Sequence, residues 1–233
     1  MLQRYVSKEL THFVGRNLPC EEKRYRLLLK ILKEGKLIAP NPPFGIRGSS
    51  EKVSRNLVVN AAVPFSEGAY HPQVVCFCDI PVGDLGIHMG KYGNFGLSFE
   101  KSFLLKNGAN PVFYIATEST FFTETNFDDM IERFRSSFGK QMRSSADHKE
   151  SLEIERFIDF QVFSFMKEFG KATEDDSEKN YYMEREWRVW GDVNFELSDV
   201  FRIILPKSYV GRLKKELSNY IGHITFAEAI RCP

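Results

Sequence analysis

The amino-acid sequence predicts an α+β fold. Strand signals fall in two clusters, near 74–117 and 181–227, and helical periodicities lie before and between them. The 42% hydrophobic residues in a chain of 233 are enough to supply a core. Segregation of this kind argues against the regular alternation of a doubly wound sheet.

Taken in order, Glu21 to Gly35 is the clearest helix, because Tyr25, Leu28, Leu29 and Leu32 recur on one face and Gly35 is placed to stop it. From Lys36 to Pro72 the chain carries Pro40, Pro42, Pro43, Gly45, Gly48, Pro64, Gly68 and Pro72, so a lid or binding loop is expected there. Val74 to Ile80, Asn94 to Phe99 and Pro111 to Thr117 read as strands, separated by turn chemistry at Pro81-Val82-Gly83 and Lys106-Asn107-Gly108. Asp128 to Arg143 and Asp147 to Phe169 read as helices. The second carries Ile154, Phe157, Ile158, Val162, Phe165, Met166 and Phe169 on one stripe, so a helical insertion is expected near 120–170. The acidic run Thr173 to Asn180 reads as a solvated loop. Tyr181 to Trp190, Val200 to Leu205 and His223 to Ala227 follow as strands, with a helix over Ser208 to Tyr220 that turns Val210, Leu213 and Leu217 inward. No internal repeat is present, and a single domain over 1–233 is expected.

No apolar run approaches the roughly 20 residues of a membrane helix, and the start lacks a signal-peptide core, so a cytoplasmic protein is expected. Four cysteines are too few for a disulfide framework. In a strand, Cys76-Phe77-Cys78 puts both thiols on one face, where they read as buried small hydrophobes. The net charge of +1 is a cancellation: residues 1–60 hold 12 Lys and Arg against 5 Asp and Glu, and residues 118–186 hold 10 against 17. The basic third is either a surface for phosphates or the solvated face of the first helix.

Three clusters could carry chemistry. In Tyr181 to Trp190, period two sends Met183, Arg185, Trp187 and Val189 to one face and Tyr182, Glu184, Glu186, Arg188 and Trp190 to the other. Two carboxylates and a guanidinium then share a face; in a cleft they can hold a ribose hydroxyl and stabilise a cationic transition state, and on a solvent-facing edge they are a surface pair. Thr11-His12-Phe13-Val14-Gly15-Arg16-Asn17-Leu18 offers a histidine that is either structural or catalytic. Lys91 to Lys101 holds Gly93 and Gly96 beside aromatics, where backbone can approach a ligand. No dinucleotide fingerprint, Walker loop, nucleophile elbow or zincin motif occurs. Asp79, Asp84 and Glu100 lack a metal-ligand spacing, so no metal is expected.

In order, these clusters resemble the His, Tyr, Glu signature of ADP-ribosyltransferases. His12 to Leu18 is similar to the start of DarT-type enzymes, and Tyr92 to Phe99 to the glycine-bracketed strand of poly(ADP-ribose) polymerases. Over roughly residues 8–205 the chain resembles the AbiGi abortive-infection family, on Thr11-His12-Phe13, Val75 to Pro81, His88 before Tyr92-Gly93, Pro111-Val112-Phe113-Tyr114 and Glu184 to Arg188. The resemblance implies a split β-sheet core with flanking helices and NAD as substrate. It implies His12 on the NAD ribose, Tyr92 near the nicotinamide, Glu186 on the ribose 2′-hydroxyl and Glu184 as a second acid activating the acceptor. Phe13, Gly93 and Ser98 complete the implied binding set, with Arg16, Arg47 or Arg55 against the diphosphate. Ser98 where a polymerase often has Tyr implies transfer of a single ADP-ribose. The implied function is a phage-defence toxin modifying nucleic acid, RNA favoured over DNA, beside a protein antitoxin. The same family label is attached to the antitoxin half of a pair, which implies the alternative of a non-catalytic antitoxin or regulatory binding protein.

Overall fold

The computed structural model describes residues 7–40, 73–116, 162–169 and 181–230. The chain divides into two compact units, one formed from Met1–Ala39, Val75–Pro111 and Tyr181–Pro233, the other from Pro40–Val74 and Val112–Asn180.

In the first unit, strand β1 (Glu9–Phe13) leads to helix α1 (Glu21–Glu34), which buries Tyr25, Leu28, Leu29 and Leu32 as the spacing predicts. The helix stops at Gly35, whose φ of 62° is left-handed and whose N–H returns to the Ile31 carbonyl at 2.9 Å. A Cβ at Gly35 would fall on the Phe195 carbonyl oxygen, so the site demands glycine twice over. There follow β2 (Lys36–Leu37), β3 (Val74–Cys78), helix α2 (Gly86–Tyr92), β4 (Gly96–Glu100), helix α3 (Lys101–Lys106) and β5 (Asn110–Pro111). In the second unit, β6 (Phe113–Ala116) pairs in parallel with β7 (Met166–Phe169) around buried Ile115 and Phe165. The chain completes the first unit with β8 (Glu186–Trp190), β9 (Val193–Asn194), β10 (Val200–Leu205), helix α4 (Lys207–Glu216) and β11 (His223–Phe226).

The α+β expectation holds: a mixed sheet of seven strands in the order β11-β10-β4-β1-β3-β8-β5, with four helices among the described residues. Strands β1 and β4 pair antiparallel, Leu10 opposite Phe99 and His12 opposite Leu97, while β10 and β11 run parallel. Alternation along each strand assigns the two faces. One carries Leu10, Phe77, Leu97, Phe99, Val189 and Ile203 and is covered by α1, α3 and α4 through Tyr25, Leu28, Leu104 and Leu213. The other carries Cys78 and Ile204, packed against Leu85 and Met89 at α2.

Several elements differ from the sequence reading. Pro111 to Thr117 is not one strand: Asn110–Pro111 pairs with β8, and the chain passes Val112 before β6 pairs with β7. The end of the expected helix Asp147 to Phe169 is a 3-10 turn, Phe163–Phe165, and a strand, because a short apolar run satisfies either periodicity and pairing with β6 decides it. The rest of that helix, Asp128 to Arg143, residues 41–72 of the expected lid and Thr173 to Asn180 lie outside the described residues. Tyr92 ends a helix, where the resemblance implies a strand, and Tyr181–Glu184, read as the start of a strand, is a 3-10 turn ahead of β8. Helix α4 ends at Glu216, since Leu217 leaves helical geometry at φ −135°. Of the two strand thiols, Cys78 is buried and Cys76 is exposed.

Candidate functional site

Buried acids met by bases lie on the α2-covered face of the sheet, at Glu9 and Glu186, and beyond a strand end, at Asp79. On β1, Glu9 is buried and accepts the Ser98 hydroxyl from β4; the Arg202 guanidinium from β10 donates to it at 3.0–3.1 Å. Arg202 also donates to the Thr225 hydroxyl at 2.7 Å, so the network crosses four strands. Past the end of β3, buried Asp79 accepts from Lys101 at 2.7 Å and from the Ser7 N–H at 3.2 Å, with Arg185 at 3.7 Å. Strand β8 adds Glu186, joined to Arg188 at 2.7 Å, both buried. Trp187 and Val189 point to the opposite, packed face, so the predicted alternation holds from Glu186 onward.

The sharpest cluster surrounds Tyr92. Its hydroxyl donates to Glu184 Oε1 at 2.5 Å, and the Lys91 ammonium reaches the same oxygen at 2.6 Å. Phe13 stacks on the ring at 6.1 Å between centroids, His88 lies at 6.2 Å, and the Arg16 guanidinium sits 4.9 Å from the ring centre. Burial, then the Glu184 hydrogen bond and charge, push the Tyr92 phenol far above its ordinary pKa, so it remains a donor. Burial and the Glu184 charge likewise push the Cys78 thiol up and hold it protonated.

Glu184 reaches Tyr92 by a route that periodicity does not describe. It closes a 3-10 turn, and Arg185 takes a φ of 44°, left-handed for a residue with a side chain, before the strand begins. The Arg185 carbonyl accepts the Asp79 N–H at 3.1 Å, anchoring this kink beside β3.

The residues implied by the resemblance thus separate. Phe13, Arg16, Tyr92 and Glu184 come together, and the charge of Glu186 reaches Tyr92. His12 faces the other way: it shares the Leu10 side of β1, its ring lies 5.7 Å from Phe77, and its Nδ1 is 2.8 Å from the Cys76 carbonyl oxygen. Burial lowers its pKa, with the carbonyl contact opposing. Ser98 belongs to the Glu9 network, and Gly93 abuts the Arg24 side chain. Arg47 and Arg55 lie outside the described residues. Sequence reasoning passed over Glu9, Lys91 and Arg202. Glu9 and Arg202 are 193 positions apart, and no local pattern links them. Among the described residues no three His, Cys, Asp or Glu side chains are arranged to hold a metal ion, and no helix is long and apolar enough to cross a membrane.

Fold and site together define an α+β protein whose central sheet is packed on both faces, with buried acid–base pairs on the α2 side. By sequence the chain belongs to the AbiGi family of abortive phage resistance proteins, whose model carries the description antitoxin and matches residues 45–224. Abortive infection, antiviral defence and a toxin–antitoxin setting follow from that membership. The match includes Tyr92, Glu184 and Glu186; His12, Phe13 and Arg16 precede it. No curated protein and no solved structure matches the chain.

Proposed function

We propose that this chain is the antitoxin half of an abortive-infection pair, a binding protein that restrains a toxin partner. The observation that carries the reading is the family match over residues 45–224 with its antitoxin description. The geometry supports it: Glu9, Asp79, Glu184 and Glu186 are each held by a base within the fold, and His12 faces away from Tyr92. Co-expression with the product of the neighbouring gene tests it. The two proteins should co-purify and the chain should relieve the partner's toxicity; a toxic partner that is neither bound nor neutralised refutes the reading.

A second reading, an NAD-dependent mono-ADP-ribosyltransferase acting on RNA in preference to DNA, is favoured by one observation, the Tyr92 hydroxyl on Glu184 with the charge of Glu186 nearby. In that reading Tyr92 and the two glutamates hold the NAD ribose and nicotinamide, and NAD supplies the transferable ADP-ribose. Labelled NAD incubated with RNA, DNA and lysate should then mark one of them, with labelling lost in Glu186→Ala by about 10² or more. Undiminished labelling in that variant removes Glu186 from the mechanism, and no labelling at all removes the reading.

A further inference from the structure

We propose that the outer flank of α1, a stripe of Lys23, Arg26, Lys30 and Lys33 extended on α4 by Arg212 and Lys215, is a docking surface for the phosphate backbone of duplex DNA. This role is separate from the restraint of a toxin and does not depend on it. Helix α1 packs on the sheet face opposite α2, and the stripe includes none of Tyr92, Glu184 and Glu186. With Tyr25, Leu28, Leu29 and Leu32 turned to the core, cations spaced three, four and three residues apart line one exposed side of the helix. Neighbouring cations on such a row start roughly 5–6 Å apart, and the row runs for about 15 Å. Helix α4 is fastened alongside. Arg212 donates to Glu22 at 2.9–3.0 Å and lies 4.6 Å from the Tyr25 ring centre, Tyr209 stacks on Tyr25 at 4.9 Å, and the Tyr25 hydroxyl donates to Glu216. Lys215, three residues past Arg212, is exposed.

The two helices together carry nine Lys and Arg against four Glu, in a chain whose net charge is +1. Three of those acids are already met: Glu22 by Arg26 at 2.7 Å and by Arg212, Glu216 by Tyr25 and Arg212, and Glu34 by Lys30 at 3.8 Å. Glu21 opens the helix on the side turned from the stripe. Lys23, Lys33 and Lys215 have no carboxylate partner among the described residues. Their charge faces water, where neutralising phosphates releases the counterions condensed on a duplex. The chemistry of the flank selects the occupant. A protein partner needs apolar or aromatic anchors, and among the described residues no large apolar side chain of α1 or α4 is exposed. A single strand needs rings to stack its bases, but Tyr25 is buried and Tyr209 is stacked on it. RNA duplexes are recognised through 2′-hydroxyls as well as phosphates, and α1 has no Ser, Thr, Asn or Gln to hold one. A DNA duplex presents a charge about every 1.7 Å of its axis, so a row of cations meets phosphates whatever the sequence.

Fluorescence anisotropy of the full chain with a labelled DNA duplex of about 20 base pairs, at roughly 50–200 mM salt, tests the surface. Binding without sequence preference is expected, with a Kd of about 10⁻⁴–10⁻⁶ M at physiological salt. Log K should fall against log salt with a slope of about −3 to −4, the value for four phosphate contacts. The double variant Lys23→Gln with Lys33→Gln changes two exposed residues that hold no ion pair, so the fold is kept. It should bind about tenfold more weakly, with the slope reduced by about 2. Lys207→Gln, roughly 140° around α4 from Arg212, should leave both unchanged. The same duplex made of RNA and the separated DNA strand should each bind more weakly, and poly-glutamate at equal charge should not displace the duplex. RNA or a single strand bound as tightly, or displacement by poly-glutamate, overturns duplex DNA as the occupant. No salt-dependent binding, an unchanged slope in the double lysine variant, or an equal loss in Lys207→Gln overturns the surface itself.

Discussion

Replacing Arg202 by leucine removes the base from the Glu9 network and leaves a carboxylate on β1 that only Ser98 then satisfies. The Glu9 side chain is 8% exposed and that of Arg202 17%, so water does little to compensate the lost partner. Breaking a buried pair from one side costs about 3–5 kcal/mol, and the residual exposure of Arg202 places the cost near the lower end, about 3 kcal/mol. For a protein of this size that corresponds to roughly 6–12 °C in Tm. Glu9→Leu combined with Arg202→Leu removes both charges, and the double variant should recover at least about 1.5 kcal/mol of the summed single losses. The assay is urea unfolding followed by tryptophan fluorescence. The two tryptophans, Trp187 and Trp190, both lie on β8 in the unit that holds the network, so the signal reports that unit. A cost below about 1 kcal/mol for Arg202→Leu, or simple additivity in the double variant, would refute a buried, coupled pair.

Gly35→Ala should destabilise by at least about 2 kcal/mol, from the left-handed backbone and the collision with the Phe195 carbonyl; a loss under 0.5 kcal/mol in the same urea assay contradicts the placement of the α1 stop. Burial lowers the His12 pKa beneath its ordinary 6.5, so the unfolded chain binds the proton first: its stabilising contribution is present above that value and lost as pH falls through to the folded value. The difference in urea midpoint between pH 8 and pH 5 should therefore shrink in His12→Gln, and an unchanged difference rejects the assignment. Iodoacetamide at neutral pH, read by peptide mass spectrometry, should modify the exposed Cys20 and Cys76 and spare buried Cys78 until urea is added. Equal labelling of Cys76 and Cys78 in the native protein would contradict the burial of Cys78.

The elements that sequence reasoning placed well are those whose signal is local. Helix α1 follows from the spacing of Tyr25, Leu28, Leu29 and Leu32 and from Gly35, and the faces of β8 follow from alternation once the strand has begun. The resemblance to ADP-ribosyltransferases implies a strand position for Tyr92, but the seven residues Gly86–Tyr92 form a helix that packs Met89 against the sheet, and the strand read at Asn94 to Phe99 begins only at Gly96. Tyr181–Glu184 has strand-forming residues and forms a turn, because the kink at Arg185 brings Glu184 to Lys91 and Tyr92. A propensity scale cannot register that gain, which arises from partners more than 90 positions away.

By itself, then, the sequence determined the α+β class, the family, the apolar stripes of α1 and α4, and the acid–base spacing of Glu186 and Arg188, all of which are written at separations of a few residues. Only the tertiary structure decided which acid meets which base and which face each residue occupies. Strand order sets Glu9 of β1 against Arg202 of β10 across β4, and a one-residue alternation turns His12 away from Phe13 and Tyr92. The physical reason is that side-chain partners across a sheet are fixed by long-range pairing and register, while periodicity reports only how a segment divides its own two sides.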